Sequence, residues 1–149
     1  MKKIITGMII LFAVTTVNAQ VARLSWTFTA KKISGNNYEI HLTATPPAGW
    51  HTYSQFTPDG GPLPTEIKIN PNGLVTLTGK IKEVGKLKTV FDNTFKVNVK
   101  YFEGKVDFVQ TVTVKGTIKT NISGSVDAMM CNDKTCIPAA TQQFNISLN

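Results

Sequence analysis

NYEIHLTA, residues 37–44, sets Tyr38, Ile40, Leu42 and Ala44 against Glu39, His41 and Thr43. Side chains of a strand alternate between its two faces, so this pattern reads as a strand with one wet face and one buried face. The same period runs outward in both directions. LSWTFTA (24–30) sets Leu24, Trp26 and Phe28 against Ser25, Thr27 and Thr29. FKVNVKYF (95–102) aligns Phe95, Val97, Val99 and Tyr101, KVDFVQTVTVK (105–115) aligns Val106, Phe108, Val112 and Val114, and TQQFNISL (141–148) aligns Phe144, Ile146 and Leu148. Turn chemistry separates these runs: SGNN after the first, PPAG after the second, INPNG at 69–73 and SGS at 123–125, just before the cysteines. FEGKVDF (102–108) reads as a tight hairpin bending at Glu103 and Gly104. No stretch beyond the N-terminal segment has a helical period. The expected fold is therefore all-β, an immunoglobulin-like antiparallel β-sandwich. SQFTPDGGPLPTE (54–66), with three prolines and two glycines, cannot be a regular strand and is expected to be a long loop.

The N-terminus carries a basic start, MKK, an apolar run, IITGMIILFAVTTV, and small residues in VNA. That is the form of a signal peptide, with residues 1–19 removed and the mature domain spanning 20–149. The apolar run is too short and too broken for a comfortable membrane span, and no later segment is apolar enough for one, so the mature chain is expected to be exported without membrane insertion. About 130 residues remain, enough for a hydrophobic core without help from a disulfide. Removing Lys2 and Lys3 from a chain of net charge +7 leaves +5. The lysines that remain are scattered, as on solvated strand faces, and nucleic-acid binding is not expected.

The only cysteines, Cys131 and Cys136, lie in DAMMCNDKTCIPAA (127–140). They are too close in sequence to bridge two sheets. NDKT between them is turn-like, so the pair is expected to face across a hairpin, with Val126, Ala128 and Met130 sharing one face. Opposed strand residues of this kind are close enough for a disulfide. Closing so short a loop adds little stability, and this favours a bond that opens and closes. Lys134 in the loop favours thiolate and Asp133 opposes it. Spacing alone leaves three readings open: an inert clip in a binding or structural module, a redox pair, or a metal site. For the last, Cys131, Cys136, His41 and His51 could form a tetrahedral copper or zinc set. Against it, His41 sits on a wet strand face, while His51 belongs to an aromatic cluster, GWHTYSQ.

MMCNDKTCIPA (129–139), PPAGWHTYSQ (46–55) and VGKLKTVFDNTFKVNVKYFEGKVDFVQTVTV (84–114) resemble, in the same order, segments of the N-terminal periplasmic domain of the thiol:disulfide interchange protein DsbD. The resemblance implies a periplasmic immunoglobulin-like domain. It would relay reducing equivalents from a thioredoxin-like donor or a membrane electron-transfer protein to periplasmic acceptors, with no bound cofactor or metal. It implies that Cys136 forms the mixed disulfide and Cys131 resolves it, in the manner of a protein-disulfide reductase-type partner. Trp50 and Tyr53 would support the site, and a covering loop would fall near 83–88. That stretch has no aromatic before Phe91, which leaves shielding to another residue such as Phe56 or Phe91. With neither a membrane domain nor a thioredoxin-like domain, the chain is expected to meet its donor as a separate protein.

Overall fold

The computed structural model describes residues 22–149, and the expected signal peptide lies outside them. Among the described residues there are twelve strands and no helix: β1 (Ser25–Ser34), β2 (Asn37–Thr45), β3 (His51–Tyr53), β4 (Glu66–Ile69), β5 (Val75–Gly85), β6 (Lys88–Asp92), β7 (Val97–Phe102), β8 (Val106–Val114), β9 (Thr120–Asp127), β10 (Met129–Cys131), β11 (Cys136–Pro138) and β12 (Gln142–Leu148). All pairings are antiparallel. One sheet has the order β1-β2-β8-β5, a second β11-β10-β3-β7-β6, and a third β12-β9-β4. β9 runs into β10 past Ala128, so the second and third sheets follow one another along the chain. The arrangement is an immunoglobulin-like antiparallel β-sandwich.

The alternation in 37–44 does what its period requires. Tyr38, Ile40, Leu42 and Ala44 are all buried, and they pack with Phe108 and Val112 of β8, Ile122 of β9 and Phe144, Ile146 and Leu148 of β12. The Phe28 and Phe144 rings, 5.6 Å apart, join the first and third sheets. β8 carries one polar residue on its core face. Gln110 Nε2 donates to the Thr78 carbonyl at 3.0 Å and the Thr111 carbonyl at 2.8 Å. Thr78 sits where the β5–β8 register shifts, so the buried amide satisfies backbone that the irregular ladder leaves over.

Three expectations are corrected. Glu103 and Gly104 do not bend a hairpin; they carry the chain from one sheet to another. β7 is already flanked by β3 and β6, and β8 by β2 and β5, so neither has a free edge for the other. Ser123, Gly124 and Ser125 are not a turn but the middle of β9. A Cβ at Gly124 would lie 2.1 Å from the Lys68 carbonyl oxygen and 2.5 Å from the Phe144 ring, so glycine here lets β4 and β12 approach closely. Phe95 does not continue β7. It lies in the β6–β7 turn, where Lys96 adopts φ 59°, and Asp92 Oδ1 accepts hydrogen bonds from the Thr94 and Phe95 amides.

Candidate functional site

The cysteine hairpin forms as its turn chemistry dictates. Asn132 Oδ1 accepts hydrogen bonds from the amides of Lys134 and Thr135, at 2.9 and 2.8 Å, and the Asn132 amide donates to the Thr135 carbonyl. This closes β10 against β11 with Cys131 directly opposite Cys136. The two Cα atoms are 4.1 Å apart and the sulfurs are bonded. Val126, Ala128 and Met130 are buried together in the core, as the alternation requires, while Met129 is half-buried on the opposite face.

The two sulfur-bearing residues differ in exposure. β10 is an inner strand between β11 and β3, and Cys131 is 2% exposed. β11 is the sheet edge, and Cys136 on it is exposed. Cys131 packs with Tyr53 and Val99, flanked by Val97, Tyr101 and Met129, in a small apolar cluster separate from the main core. An open groove of about 480 Å³ lies over the pair. It is lined by both cysteines and the turn between them, by His51 and Tyr53 of β3, and by Asp92, Thr94 and Phe95.

The structure therefore brings Tyr53 and Lys134 to the cysteines. Trp50 instead packs against the main core, and Phe91 stands half-exposed on β6. The stretch 83–88 is not the segment over the sulfurs. Its Glu83 is tied to the long loop, accepting hydrogen bonds from Ser54 Oγ at 2.8 Å and the Gln55 amide at 2.7 Å. The segment that does line the groove is the β6–β7 turn, with Phe95 as its aromatic. Phe56 lines a different cavity with Leu63, Ile67, Pro138 and Ala139. The four-residue metal set is not assembled either. His41 lies on the first sheet with Nδ1 2.7 Å from Asp107 Oδ2, and Thr43 donates to the same carboxylate.

His51, which the sequence offered only as a metal-ligand candidate and a member of an aromatic cluster, does stand at the site. It stands opposite Cys131 in the β10–β3 register. Its Nε2 is 3.1 Å from the Tyr53 hydroxyl, and its ring lies 4.6 Å from Tyr101 and edge-on to Tyr53. Burial pushes the imidazole below its ordinary 6.5, against the opposing pull of Glu103 and Asp133. Burial, with Asp92 and Tyr101, pushes the Tyr53 phenol up to about 12, so it keeps its proton. Glu103 is held below its ordinary value chiefly by a hydrogen bond from Lys88 Nζ at 2.5 Å.

Comparison with known proteins places the chain beside a family and solved structures. The family model for the N-terminal part of the thiol:disulfide interchange protein DsbD matches residues 18–148. The crystal structure of the N-terminal periplasmic domain of ScsB from Proteus mirabilis superposes with a TM-score of 0.57 at 18% identity, covering 91% of this chain and 49% of that one. The chain thus spans about half the length of that structure. The Neisseria meningitidis DsbD N-terminal domain, in its reduced form, superposes with a TM-score of 0.54 at 14% identity, covering 82% of this chain and 86% of that one. No curated protein sequence matches the chain. At these identities the two structures speak to the fold, and the family model speaks to kinship.

Proposed function

The chain belongs to the DsbD N-terminal family of thiol:disulfide interchange proteins, and on that footing we propose that it relays reducing equivalents in the periplasm through Cys131 and Cys136. It is a thiol–disulfide exchange domain. The finer reading is that a thioredoxin-like protein or a membrane electron carrier reduces the pair, and that periplasmic proteins are in turn reduced by it. The observation that carries the assignment of roles is the unequal exposure of the two cysteines.

Exchange requires a thiolate to reach a partner's sulfur in line with the bond it breaks. Exposed Cys136 on the sheet edge meets that need, whereas Cys131 is enclosed by Tyr53, Val99 and its neighbouring strands. Reduced Cys136 attacks an acceptor disulfide, forming a mixed disulfide and releasing one acceptor thiol. Cys131 then attacks Cys136, re-forming the internal bond and releasing the second acceptor thiol. Run in reverse with a dithiol donor, the same steps recharge the pair. Lys134 beside Cys136 favours its thiolate, and no helix N-terminus is present among the described residues to acidify it strongly.

Trapping tests the roles. Cys131→Ala should hold a stable mixed disulfide between Cys136 and a thioredoxin-like protein, seen as a reductant-sensitive adduct on a non-reducing gel. Cys136→Ala should not. Equal trapping by Cys136→Ala, with none by Cys131→Ala, would reverse the assignment.

A further inference from the structure

A single row of side chains crosses the outer face of the second sheet. Cys136 faces Cys131 across β11–β10, and Cys131 faces His51 across β10–β3. Thr52 pairs with Phe102 and Tyr53 with Tyr101, so extending that register by one residue places Glu103 opposite His51. Residues directly opposite on one face have Cβ atoms about 5 Å apart. An imidazole in the third place of such a row lies within reach of the sulfur in the second. Thr52 and Met130, one residue along, are buried toward the core, which fixes His51 and Cys131 on the shared outer face.

The resolving step needs what this neighbour can supply. Cys131 is enclosed and its thiol must lose a proton as it attacks, while water has poor access to it. We infer that His51 is the proton acceptor for Cys131 when that thiol resolves the mixed disulfide, an inference that rests on the exchange reading above. In the tautomer this role requires, His51 Nε2–H donates to the Tyr53 hydroxyl oxygen, 3.1 Å away, so that the Nδ1 lone pair is free for the thiol proton. The Cys131 sulfur then forms its bond to the Cys136 sulfur, and the partner sulfur departs with the electron pair of the broken bond. The imidazolium passes its proton to that thiolate or to solvent, and His51 is neutral again.

The charges around His51 suit a base that works near neutral pH. Its own strand offers Tyr53. From β7 and the residue after it come Tyr101 and Glu103, the latter paired with Lys88 of β6. From the hairpin turn come Asp133 and Lys134, and from the end of β6 comes Asp92, all three at the groove. Burial keeps the imidazole neutral and ready to accept, while Glu103 and Asp133 stabilise the cation once formed.

The test follows resolution alone. Reduced protein is mixed with dithiobisnitrobenzoate in a stopped-flow instrument. The first thionitrobenzoate released reports attack by Cys136, and the second reports resolution by Cys131. This leaving group departs as an anion, so the pH profile of the second phase reads the Cys131 proton. The native protein should show an inflection below pH 6.5. His51→Gln should slow that phase roughly a hundredfold near neutrality. Its rate should then climb with pH toward the thiol's own range at about 8.5. Glu103→Gln, a second and exposed substitution, should move the native inflection to lower pH. An unchanged second-phase profile in His51→Gln overturns the inference; should that variant not fold, an inflection unmoved by Glu103→Gln does so. If the native protein releases only one equivalent, the exchange reading itself fails and the inference falls with it.

Discussion

Gly124 shows how much one residue carries at the smallest scale. Its absent side chain is what lets Lys68 of β4 and Phe144 of β12 close on β9 from both sides. Gly124→Ala should destabilise the protein by about 3 kcal/mol through overpacking, read as a drop in the urea midpoint; an unchanged midpoint would mean the neighbours yield freely. His51 leaves a different mark. Because burial lowers its proton affinity, the unfolded chain binds that proton more readily than the native one. The stability it contributes is full above pH 6.5 and declines as pH falls below that value. Glu103 acts lower, its contribution full above pH 4.5 and lost as pH falls through its depressed native value. The slope of urea stability just below pH 6.5, above the window in which Glu103 titrates, should therefore flatten in His51→Gln. A slope that persists in the variant would assign the proton to another group.

At the scale of elements, the β6–β7 turn is the one to probe. It places Phe95 at the mouth of the cysteine groove, while Asp92 Oδ1 fastens the turn through the Thr94 and Phe95 amides. Phe95→Ala should quicken reduction of the disulfide by a small dithiol severalfold and leave the melting temperature nearly unchanged, since Phe95 is 40% exposed. An unaltered rate would show that the ring does not obstruct access. This turn was hidden in the sequence because Phe95 continues the alternation of Val97, Val99 and Tyr101. Only the left-handed Lys96 and the Asp92 cap break the strand there. β5 was hidden for the opposite reason. Most of its residues are exposed on both faces, so no period appears. β1, β2 and β12 were legible because each has one face against the core. The cysteine hairpin was legible because Asn132 organises it locally. The companions of the cysteines were only partly so: Tyr53 and Lys134 reach the groove, Trp50 and Phe91 do not, and pairing between distant strands decides which.

For the whole molecule, the disulfide and the core are separate sources of stability. The core joins residues of all three sheets and does not include Cys131, which belongs to the small outer cluster. Closing a loop of five-residue separation is worth about 2 kcal/mol. Against a typical domain stability of roughly 5–15 kcal/mol, its loss leaves the fold intact. Reduction should lower the melting temperature by less than about 10 °C and preserve the β-sheet circular dichroism. Unfolding on reduction would mean that the bond is structural. The central claim, that a bond of so little structural value is made to be exchanged, is met most directly by equilibrating the native protein with dithiothreitol or glutathione couples and reading its reduction potential. The expected value lies between about −270 and about −180 mV, the span from thioredoxin to protein disulfide isomerase. A value below about −300 mV, or sulfurs that no reductant reaches while the fold stays native, would contradict it.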